Sequence, residues 1–291
     1  MQIARTISDL RAARQQMRGQ VGVVPTMGAL HAGHLALAQA AREENDYVIT
    51  TIFVNPTQFS PDEDLDAYPR DLEGDLTKLE AAGVDLVFTP TPELMYPAGF
   101  QTYVNVEFIT RLLEGVHRPT HFRGVTTVVT KLFNLTQPDI AYFGQKDAQQ
   151  VAVIRRMVKD LNFPLKIAVC PTVREPDGLA MSSRNVYLSA SERKAATILI
   201  RALETAADAY DEGIRDGETL EQIMRQVVMT EPLGEMDYVS VVDARTLERP
   251  HPNSPMLASL AVRFGRARLI DNRLLPAHLN TREGLDSTLG V

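Results

Sequence analysis

Short apolar runs alternate with helix-like segments between residues 21 and 170. The runs are rich in β-branched residues and are Val21 to Thr26, Tyr47 to Asn55, Val84 to Thr89, Asp139 to Phe143 and Lys166 to Cys170. Uninterrupted apolar runs are typical of strands that are covered on both faces. Strands that alternate with helices are joined by right-handed crossovers. The pattern predicts an α/β fold with a Rossmann-like, doubly wound parallel sheet.

The pattern changes near Pro171. Residues 172–185, TVREPDGLAMSSRN, are polar and turn-rich, which indicates a hinge. The periodicity beyond them predicts helices at about Ser191 to Gly213 and Thr219 to Thr230, then antiparallel strands at Tyr238 to Asp243, Leu257 to Phe264 and Ala267 to Asp271. We therefore expect two domains, residues 1–171 and a smaller α+β domain, residues 172–291, which carries the SSRN loop.

The sequence also predicts the structure of the segments outside these strands. We predict helices at residues 1–19, His34 to Glu44, Asp71 to Ala82, Phe108 to Gly115, Val125 to Thr136 and Ala148 to Leu161, and an extra strand at Gln101 to Val106. Residues 57–70 indicate a polar loop, and residues 89–100, TPTPELMYPAGF, indicate a rigid, proline-rich loop. The last residues, from about Leu279 to Val291, are expected to be loosely ordered.

The composition limits the classes of partner. The net charge of −7 argues against the nucleic-acid backbone as a partner. The sequence has no apolar run of membrane-spanning length and no signal peptide, and its single cysteine, Cys170, excludes an internal disulfide. We expect a cytoplasmic protein without nucleic-acid or membrane partners. An anionic ligand would need a local positive pocket, for which Lys146, Arg184, Arg118 and Arg123 are candidates.

Val21 to Leu37, VGVVPTMGALHAGHLAL, reads as a strand, a glycine-bearing turn and a helix that opens near Gly33. His31 and His34 lie three residues apart at the start of that helix, so both rings can face its N-terminus. Free N–H groups and the helix dipole make this end an anion site, which favours a nucleotide phosphate. Two alternatives remain open. The pair could be half of a metal site, which would need a third and usually a fourth ligand, for which the chain offers only one cysteine and four other histidines. It could also cap the helix without doing chemistry.

Three further polar clusters accompany this corner. They are NPTQF (55–59), GQKD (144–147) with Gln150, and MSSRN (181–185). Each has a structural alternative, because Asn55 can end a strand, Asp147 can cap a helix and Ser182 can start a turn. Three of the four clusters follow the carboxyl ends of predicted parallel strands, where ligands bind in such sheets. The fourth lies on the predicted hinge. Together they indicate a single phosphate-binding site with a closing loop.

The motifs also resemble a known family. HAGH with a later SSRN loop resembles adenylyl-transferring enzymes with the HIGH-type nucleotidyltransferase fold. PTMGALHAGH, FVNPTQF, YPRDL, RPTHFRGV, FGQKDAQQ and DGLAMSSRN, in that order between about residues 20 and 190, resemble the pantoate–β-alanine ligases. The resemblance implies that pantoate is activated by ATP as pantoyl adenylate with release of pyrophosphate. β-Alanine then displaces AMP to give pantothenate.

The resemblance also implies the site residues. ATP would be bound by Met27, Gly28, Ala29, Leu30, His31, Ala32, Gly33, His34, Gly144, Gln145, Lys146, Asp147, Val173, Met181, Ser182, Ser183 and Arg184. Within this set His34 would be the proton donor, and His31, Lys146 and Arg184 would act on the phosphates. Pantoate would be bound by Gln58 and Gln150, with Asn55 beside it, and Gln58 would also contact β-alanine. Arg118 would lie near the phosphates or pantoate.

Magnesium and a homodimer complete what the resemblance implies. Mg²⁺ would bridge phosphate oxygens, with Asp75 at an acidic position near the family's metal site. Gly74 stands where some relatives carry a second acid. The sequence also leaves two other functions open: an adenylyltransferase that acts on a phosphate acceptor, and a protein that binds ATP without turnover.

Overall fold

A computed structural model of the chain describes residues 1–60, 65–251 and 253–289. These residues form two units. The first unit comprises residues 1–143 and 153–170, and the second comprises residues 144–152 and the chain from residue 171 onward. The predicted division into 1–171 and 172–291 differs from this one at residue 171 and in the segment 144–152, both of which belong to the second unit.

The described part of the first unit contains a sheet of six strands in the order β1-β4-β3-β2-β5-β6. The strands are parallel, and they are β1 (Gln2–Ala4), β2 (Val21–Thr26), β3 (Tyr47–Ile52), β4 (Leu86–Phe88), β5 (Ile140–Gly144) and β6 (Lys166–Cys170). From β2 the chain first builds one side of the sheet, with β3 and β4, and later the other side, with β5 and β6. The order therefore reverses beside β2, and the predicted Rossmann-like architecture is confirmed.

Helices connect these strands. They are α1 (Ile7–Gln16), α2 (Ala32–Glu44), α3 (Leu72–Ala81), α4 (Pro92–Met95), α5 (Glu114–His117), α6 (His121–Thr136) and α7 (Ala148–Asp160), with 3-10 turns at Pro56–Gln58, Ile109–Arg111 and Gln145–Asp147. Val24, Ala38, Val48 and Tyr142 are fully buried between α2 and the sheet. This packing fixes the loops at the carboxyl ends of β2 and β3, where the predicted site lies.

The second unit has its own core. Its elements are α8 (Ala190–Ala195), α9 (Ile198–Asp211), α10 (Gly217–Val228), β7 (Glu235–Asp243), β8 (Met256–Phe264), β9 (Ala267–Leu275) and α11 (Arg282–Thr288), with 3-10 turns at Ser183–Tyr187 and Ala277–Asn280. The three strands form an antiparallel sheet, and Leu203, Met224, Leu260 and Phe264 are fully buried where α9 and α10 pack on it. The predicted small α+β domain is confirmed.

The N-terminal segment differs from its prediction as a single helix. Residues 2–4 form β1, which pairs in parallel with β4 at the edge of the sheet, and α1 begins only after the cap at Thr6. The hydroxyl of Thr6 accepts the N–H of Asp9 at 3.1 Å. Because β1 has only three residues, its apolar pattern is too short to be separated from the helix that follows.

The predicted strand at Gln101 to Val106 is wrong. The N–H of Val104 donates to the hydroxyl of Thr127 at 3.0 Å, and its carbonyl accepts the hydroxyl of Thr126 at 2.7 Å. Side chains of α6 therefore satisfy a backbone that would otherwise need a neighbouring strand. The helix predicted at Phe108 to Gly115 is instead divided into the 3-10 turn Ile109–Arg111 and the short helix α5, since Phe108 and Leu113 adopt positive φ angles of 56° and 46°.

Three other expectations are corrected. The proline-rich loop contains α4, which is capped by Thr91 and has Pro92 at its first position, where proline is tolerated. The long helix predicted at Ser191 to Gly213 is divided into α8 and α9. The C-terminal segment forms α11, which buries Leu285 and Leu289. Residues 61–64 of the predicted polar loop and residues 290–291 lie outside the described residues.

The described helices are short. The longest, α6, has 16 residues. Within the described ranges, none has both the length and the apolar character needed to cross a bilayer.

Candidate active site

The loop between β2 and α2 carries the first predicted phosphate site. The hydroxyl of Thr26 donates to the carbonyl of Thr51 at 2.7 Å and accepts the N–H of Gly28 at 3.3 Å. Gly28 and Ala29 follow with left-handed φ angles of 81° and 51°. Glycine adopts this conformation freely, whereas alanine needs surrounding contacts to hold it there. The helix then begins at Ala32, one residue before the expected opening at Gly33.

His31 and His34 form a reciprocal cap at the start of α2. Nδ1 of His31 accepts the N–H of Gly33 at 3.1 Å, and Nδ1 of His34 accepts the N–H of His31 at 3.4 Å. The two ring centroids lie 4.1 Å apart. Because both Nδ1 atoms accept hydrogen bonds, the neutral rings carry their protons on Nε2. In this neutral form Nε2–H can donate a hydrogen bond, whereas transfer of a proton requires the imidazolium form, in which Nδ1 carries a proton and no longer accepts the capping N–H.

The alternative that His31 and His34 form half of a metal site is not supported by a third ligand among the described residues. The described residues contain no group of three or more His, Cys, Asp and Glu side chains placed to hold a metal ion. The N-terminus of α2 remains suited to bind an anion, as predicted, because of its free N–H groups and the helix dipole.

Asn55 organises the turn that follows β3. Its side-chain oxygen accepts the hydroxyl of Thr57 at 2.9 Å and that of Tyr96 at 2.7 Å. Its side-chain nitrogen donates to Gln58 Oε1 at 3.1 Å and to the carbonyl of Gly124 at 3.2 Å. The residue is 1% exposed. These contacts favour a role in orienting Gln58 over the direct substrate contact predicted for Asn55.

Gln58 is held from three directions. Its Oε1 accepts from Asn55, so its Nε2 faces the other way, 3.0 Å from the sulfur of Met27. Its backbone carbonyl accepts Nδ1 of His121 at 2.9 Å and a guanidinium N–H of Arg118 at 3.4 Å. Nε2 of His121 in turn lies 3.3 Å from the guanidinium of Arg118. The amide of Gln58 therefore presents hydrogen-bond donors, which suit a hydroxyl or carboxylate oxygen.

The GQKD segment belongs to the second unit. The side-chain nitrogen of Asn272, on β9, donates to the carbonyls of Gln145 at 3.0 Å and Lys146 at 2.8 Å. Nε2 of Gln145 donates to Asn280 at 2.6 Å. These bonds explain why residues 144–152 pack with the second unit. The ammonium of Lys146 lies 3.7 Å from Asp147, and its side chain is 22% exposed.

The predicted hinge is a hydrogen-bonded hairpin. Arg174 bridges Ala180, and the N–H of Met181 donates to the carbonyl of Val173 at 3.0 Å. The guanidinium of Arg174 makes two bonds to the buried carboxylate of Asp271, at 2.6 and 3.0 Å. The hairpin leads into the SSRN segment, where Ser182 caps a 3-10 turn by accepting the N–H of Arg184 at 3.2 Å. Arg174 and Asn272 thus fasten both predicted phosphate segments of this unit to β9.

The comparison with known proteins decides the family. The sequence profile described as pantoate-beta-alanine ligase matches residues 2–274. The chain belongs to the pantoate-beta-alanine ligase family. The family match decides against the adenylyltransferase with a phosphate acceptor and against the ATP-binding protein without turnover, which the sequence alone leaves open.

Individual members of the family resemble the chain over nearly its full length. A curated pantothenate synthetase from Roseiflexus castenholzii is 59% identical over 95% of the chain and 100% of the relative. The crystal structure of a pantothenate synthetase from Thermus thermophilus is 49% identical, covers 94% of the chain and 98% of its own, and superposes with a TM-score of 0.89. A ligase structure from Francisella tularensis, complexed with beta-gamma ATP and beta-alanine, is 36% identical, with coverages of 94% and 97% and a TM-score of 0.78.

Within this family member, the structure places the predicted residues in two groups. The first unit brings together His31, His34 and Met27 at the α2 corner, and Gln58, Asn55 and Arg118 around the turn after β3. The second unit holds Gly144 to Asp147, the half-buried Gln150, Val173, and Met181 to Arg184. Their assignments to ATP and pantoate stay predictions.

Four residues that position predicted site residues within the two units are not predicted from the sequence. They are His121, Tyr96, Gly124 and Asn272. His121 lies in the quoted motif RPTHFRGV, where two basic residues flank it, and this is the signal that could have identified it. Asn272 comes directly after the predicted strand Ala267 to Asp271, and three consecutive polar residues, 271–273, separate two pairs of apolar residues there. Such an interruption indicates buried hydrogen bonds.

Proposed function

We propose that this chain condenses pantoate with β-alanine in two ATP-dependent steps. In the first, a carboxylate oxygen of pantoate bonds to the α-phosphorus of ATP, and the bond to pyrophosphate breaks. In the second, the amine of β-alanine bonds to the acyl carbon, AMP leaves with the bonding electrons, and the amine loses a proton. The names of the relatives, and the β-alanine bound to the Francisella tularensis ligase, support these substrates.

One observation carries the proposal for this chain. The amide nitrogen of Gln58, the predicted pantoate donor, lies 3.0 Å from the sulfur of Met27, which opens the predicted ATP-binding segment. A carboxylate bound at Gln58 would therefore lie beside a nucleotide at the α2 corner. Holding two reactants in such proximity is a large part of what an adenylate-forming enzyme must do.

His34 and His31 would act on the charge that develops during the first step. The α-phosphate and the departing pyrophosphate gain negative charge, which N–H donors stabilise most when they are already aimed at it. Both rings accept a backbone N–H through Nδ1, so in their neutral form Nε2 carries the proton. We assign His34 as the proton donor and His31 as a phosphate partner. Lys146 and Arg184 keep their predicted roles as cations on the phosphates.

Magnesium belongs to the proposal through ATP rather than through Asp75. Both carboxylate oxygens of Asp75 already accept backbone N–H groups, at 2.8 Å each, and the residue is 1% exposed. This donor set does not fit a metal ligand. Mg²⁺ characteristically binds substrate phosphates and keeps several waters.

The proposal also includes a homodimer in the cytoplasm. Exposed apolar side chains such as Phe108 and Val116, at 77% and 63% exposure, are available for subunit contact. Light scattering on the eluate of a sizing column would test the assembly directly. A mass near 32.3 kDa would identify a monomer, and twice that mass a dimer.

Pyrophosphate release measured at high enzyme concentration tests the reaction. With ATP, magnesium and D-pantoate but no β-alanine, we expect a burst of about one equivalent of pyrophosphate per chain. Addition of β-alanine should convert the burst into steady production of AMP and pantothenate. The burst is expected because, without β-alanine, pantoyl adenylate stays bound to the enzyme and prevents a second turnover.

Two controls make this experiment decisive. Omission of pantoate should abolish pyrophosphate release. Replacing β-alanine with glycine should lower the steady rate if the site selects the amino acid by its chain length. Absence of pantoate-dependent pyrophosphate release under either condition would overturn the ligase proposal.

Tyr96→Phe should weaken pantoate binding without weakening ATP binding. The hydroxyl of Tyr96 donates to Asn55, which in turn orients Gln58. Loss of one such hydrogen bond is expected to raise KM for D-pantoate about 2-fold to 10-fold. Tyr47→Phe, at the amino end of β3, is the matched control and should leave KM unchanged.

The same residue predicts a pH dependence. Burial raises the pKa of the Tyr96 hydroxyl. The folded chain therefore favours the neutral hydroxyl. The contribution of the neutral Tyr96 hydroxyl to the free energy of unfolding is complete below the ordinary tyrosine pKa of about 10. It is lost as the pH rises through the raised pKa of Tyr96 in the folded chain. In wild type, Tyr96 should ionise above that ordinary value in a 295 nm titration. An equal titration curve in Tyr96→Phe would contradict this assignment.

A further inference from the structure

The loop that leads to His31 is held by a helix that lies outside the recognised nucleotide motif. Helix α3 supplies Asp75, whose Oδ2 accepts the N–H of Ala29 and whose Oδ1 accepts the N–H of Leu30, each at 2.8 Å. The ammonium of Lys78, one turn later, donates to the carbonyl of Leu30 at 3.0 Å and lies 3.6 Å from Asp75 Oδ1. Three backbone groups of two consecutive residues are thereby fixed from one helix.

These contacts act where the backbone needs support. Ala29 has a left-handed φ of 51°, which costs conformational energy in any residue with a Cβ. A strained residue persists only where its surroundings over-determine it. The N–H of Ala29 and that of Leu30 point to one carboxylate, and this requires the turn that the strained angle creates. Asp75 therefore compensates for the strain immediately before the histidine cap.

Gly28 belongs to the same arrangement. A Cβ at this position would lie 3.1 Å from Oδ2 of Asp75 and 3.2 Å from Cγ2 of Ile52. Both distances are tighter than ordinary contacts. The absence of a side chain at Gly28 thus leaves room for the carboxylate to reach the backbone.

We propose that Asp75 and Lys78 form a positioning pair that sets the Gly28–Leu30 loop for nucleotide binding, and that Asp75 does not ligate magnesium. The inference rests on the proposed function, since it assumes that ATP binds at the α2 corner. The carboxylate is occupied by two N–H donors and faces a lysine. A metal ion would have to displace these contacts.

ATP binding in the presence and absence of magnesium distinguishes the two roles. Without pantoate, binding can be measured by equilibrium dialysis, once in excess EDTA and once in excess magnesium chloride. In Asp75→Asn one oxygen becomes an NH₂ group, so one of the two backbone N–H groups faces a donor. We expect ATP affinity to fall about 10-fold to 100-fold, by the same factor in EDTA and in magnesium. A loss confined to magnesium would identify a metal ligand and overturn the proposal.

A second variant keeps the test decisive if Asp75→Asn does not fold. The side chain of Lys78 is 41% exposed, so Lys78→Met should leave the fold intact. It removes the bond to Leu30 and should weaken ATP binding about 2-fold to 10-fold in both conditions. Unchanged ATP affinity in Lys78→Met would refute the positioning pair.

The control is Glu73→Gln. Glu73 lies in the same first turn of α3 but is exposed, so this variant removes an equal charge without touching the loop. It should bind ATP as wild type does. If the wild-type chain itself binds no ATP in either condition, the proposed function fails. If wild type binds and the variants match it, only the positioning role fails.

Discussion

His34→Ala is expected to lower the rate of pantoate-dependent pyrophosphate release by about 10²-fold to 10⁴-fold, the range typical of lost general acid catalysis. Nδ1 of His34 accepts the N–H of His31 at the N-terminus of α2, so Nε2 is the ring nitrogen that the cap does not use; as a general acid the ring would act in its imidazolium form. The measurement is the single-turnover burst, because it reports the first chemical step without contributions from β-alanine or product release.

Alanine also removes half of the reciprocal cap, so a second variant must separate structure from chemistry. Glutamine at the third position of a helix can accept the capping N–H as histidine does here. His34→Gln should therefore retain the cap, and with it most of the ATP affinity, but should lose the burst rate as fully as alanine does. His251→Ala, which removes an exposed histidine, should leave both quantities unchanged.

The two variants give opposite results for the alternative roles. If glutamine restores the rate, His34 acts only as a helix cap, and the proton donor must be sought elsewhere. If alanine lowers ATP affinity and leaves the burst rate at saturating ATP intact, His34 contributes to binding alone.

The sequence predicts the first unit well because buried parallel strands have a simple local pattern. Strand β6 is predicted with its observed ends, Lys166 and Cys170, and β2 likewise at Val21 to Thr26. These strands are apolar on both faces, so no tertiary knowledge is needed to recognise them. The segment Gln101 to Val106, QTYVNV, is also rich in β-branched residues and is predicted as a strand for that reason. Its backbone is bonded by threonine hydroxyls that lie more than 20 residues later in the sequence.

The candidate site shows the same division between local and distant information. The histidine pair and its helix are encoded within a few residues, so their cap could be foreseen as one alternative. The orientation of Gln58 depends on Asn55, which is close in sequence, but also on His121 and Arg118, which are 63 and 60 residues away. No periodicity in a single sequence reports such pairings. Asn272 similarly lies 126 residues from Lys146.

Gly124→Ala should have the largest effect on the pantoate side of the site. Helix α6 contacts the turn after β3 at this glycine, and a Cβ there would lie 2.3 Å from the carbonyl oxygen of Thr57 and 2.6 Å from the nitrogen of Gln58. Both neighbours are backbone atoms, so no side-chain rotation can relieve the clash. The helix and the turn must separate. The carbonyl of Gly124 then moves away from Asn55, which orients Gln58.

Overpacking of this kind costs about 1–3 kcal/mol, which corresponds to about 5-fold to 150-fold in an equilibrium constant. We expect the free energy of unfolding to fall by that amount and KM for D-pantoate to rise, while ATP affinity at the α2 corner changes little. Initial rates measured against pantoate at saturating ATP would give KM, and equilibrium dialysis the ATP affinity. Asn134→Ala, at an exposed position of α6, is the matched control and should alter neither.

Circular dichroism should first confirm that Gly124→Ala is folded. A folded variant with wild-type KM for pantoate would contradict the role of Gln58, because that amide cannot keep its place when the turn beneath it moves. A variant that loses ATP affinity and pantoate affinity to the same degree would instead mean that the turn after β3 and the α2 corner move together. The contact between Gln58 and Met27 would provide the connection.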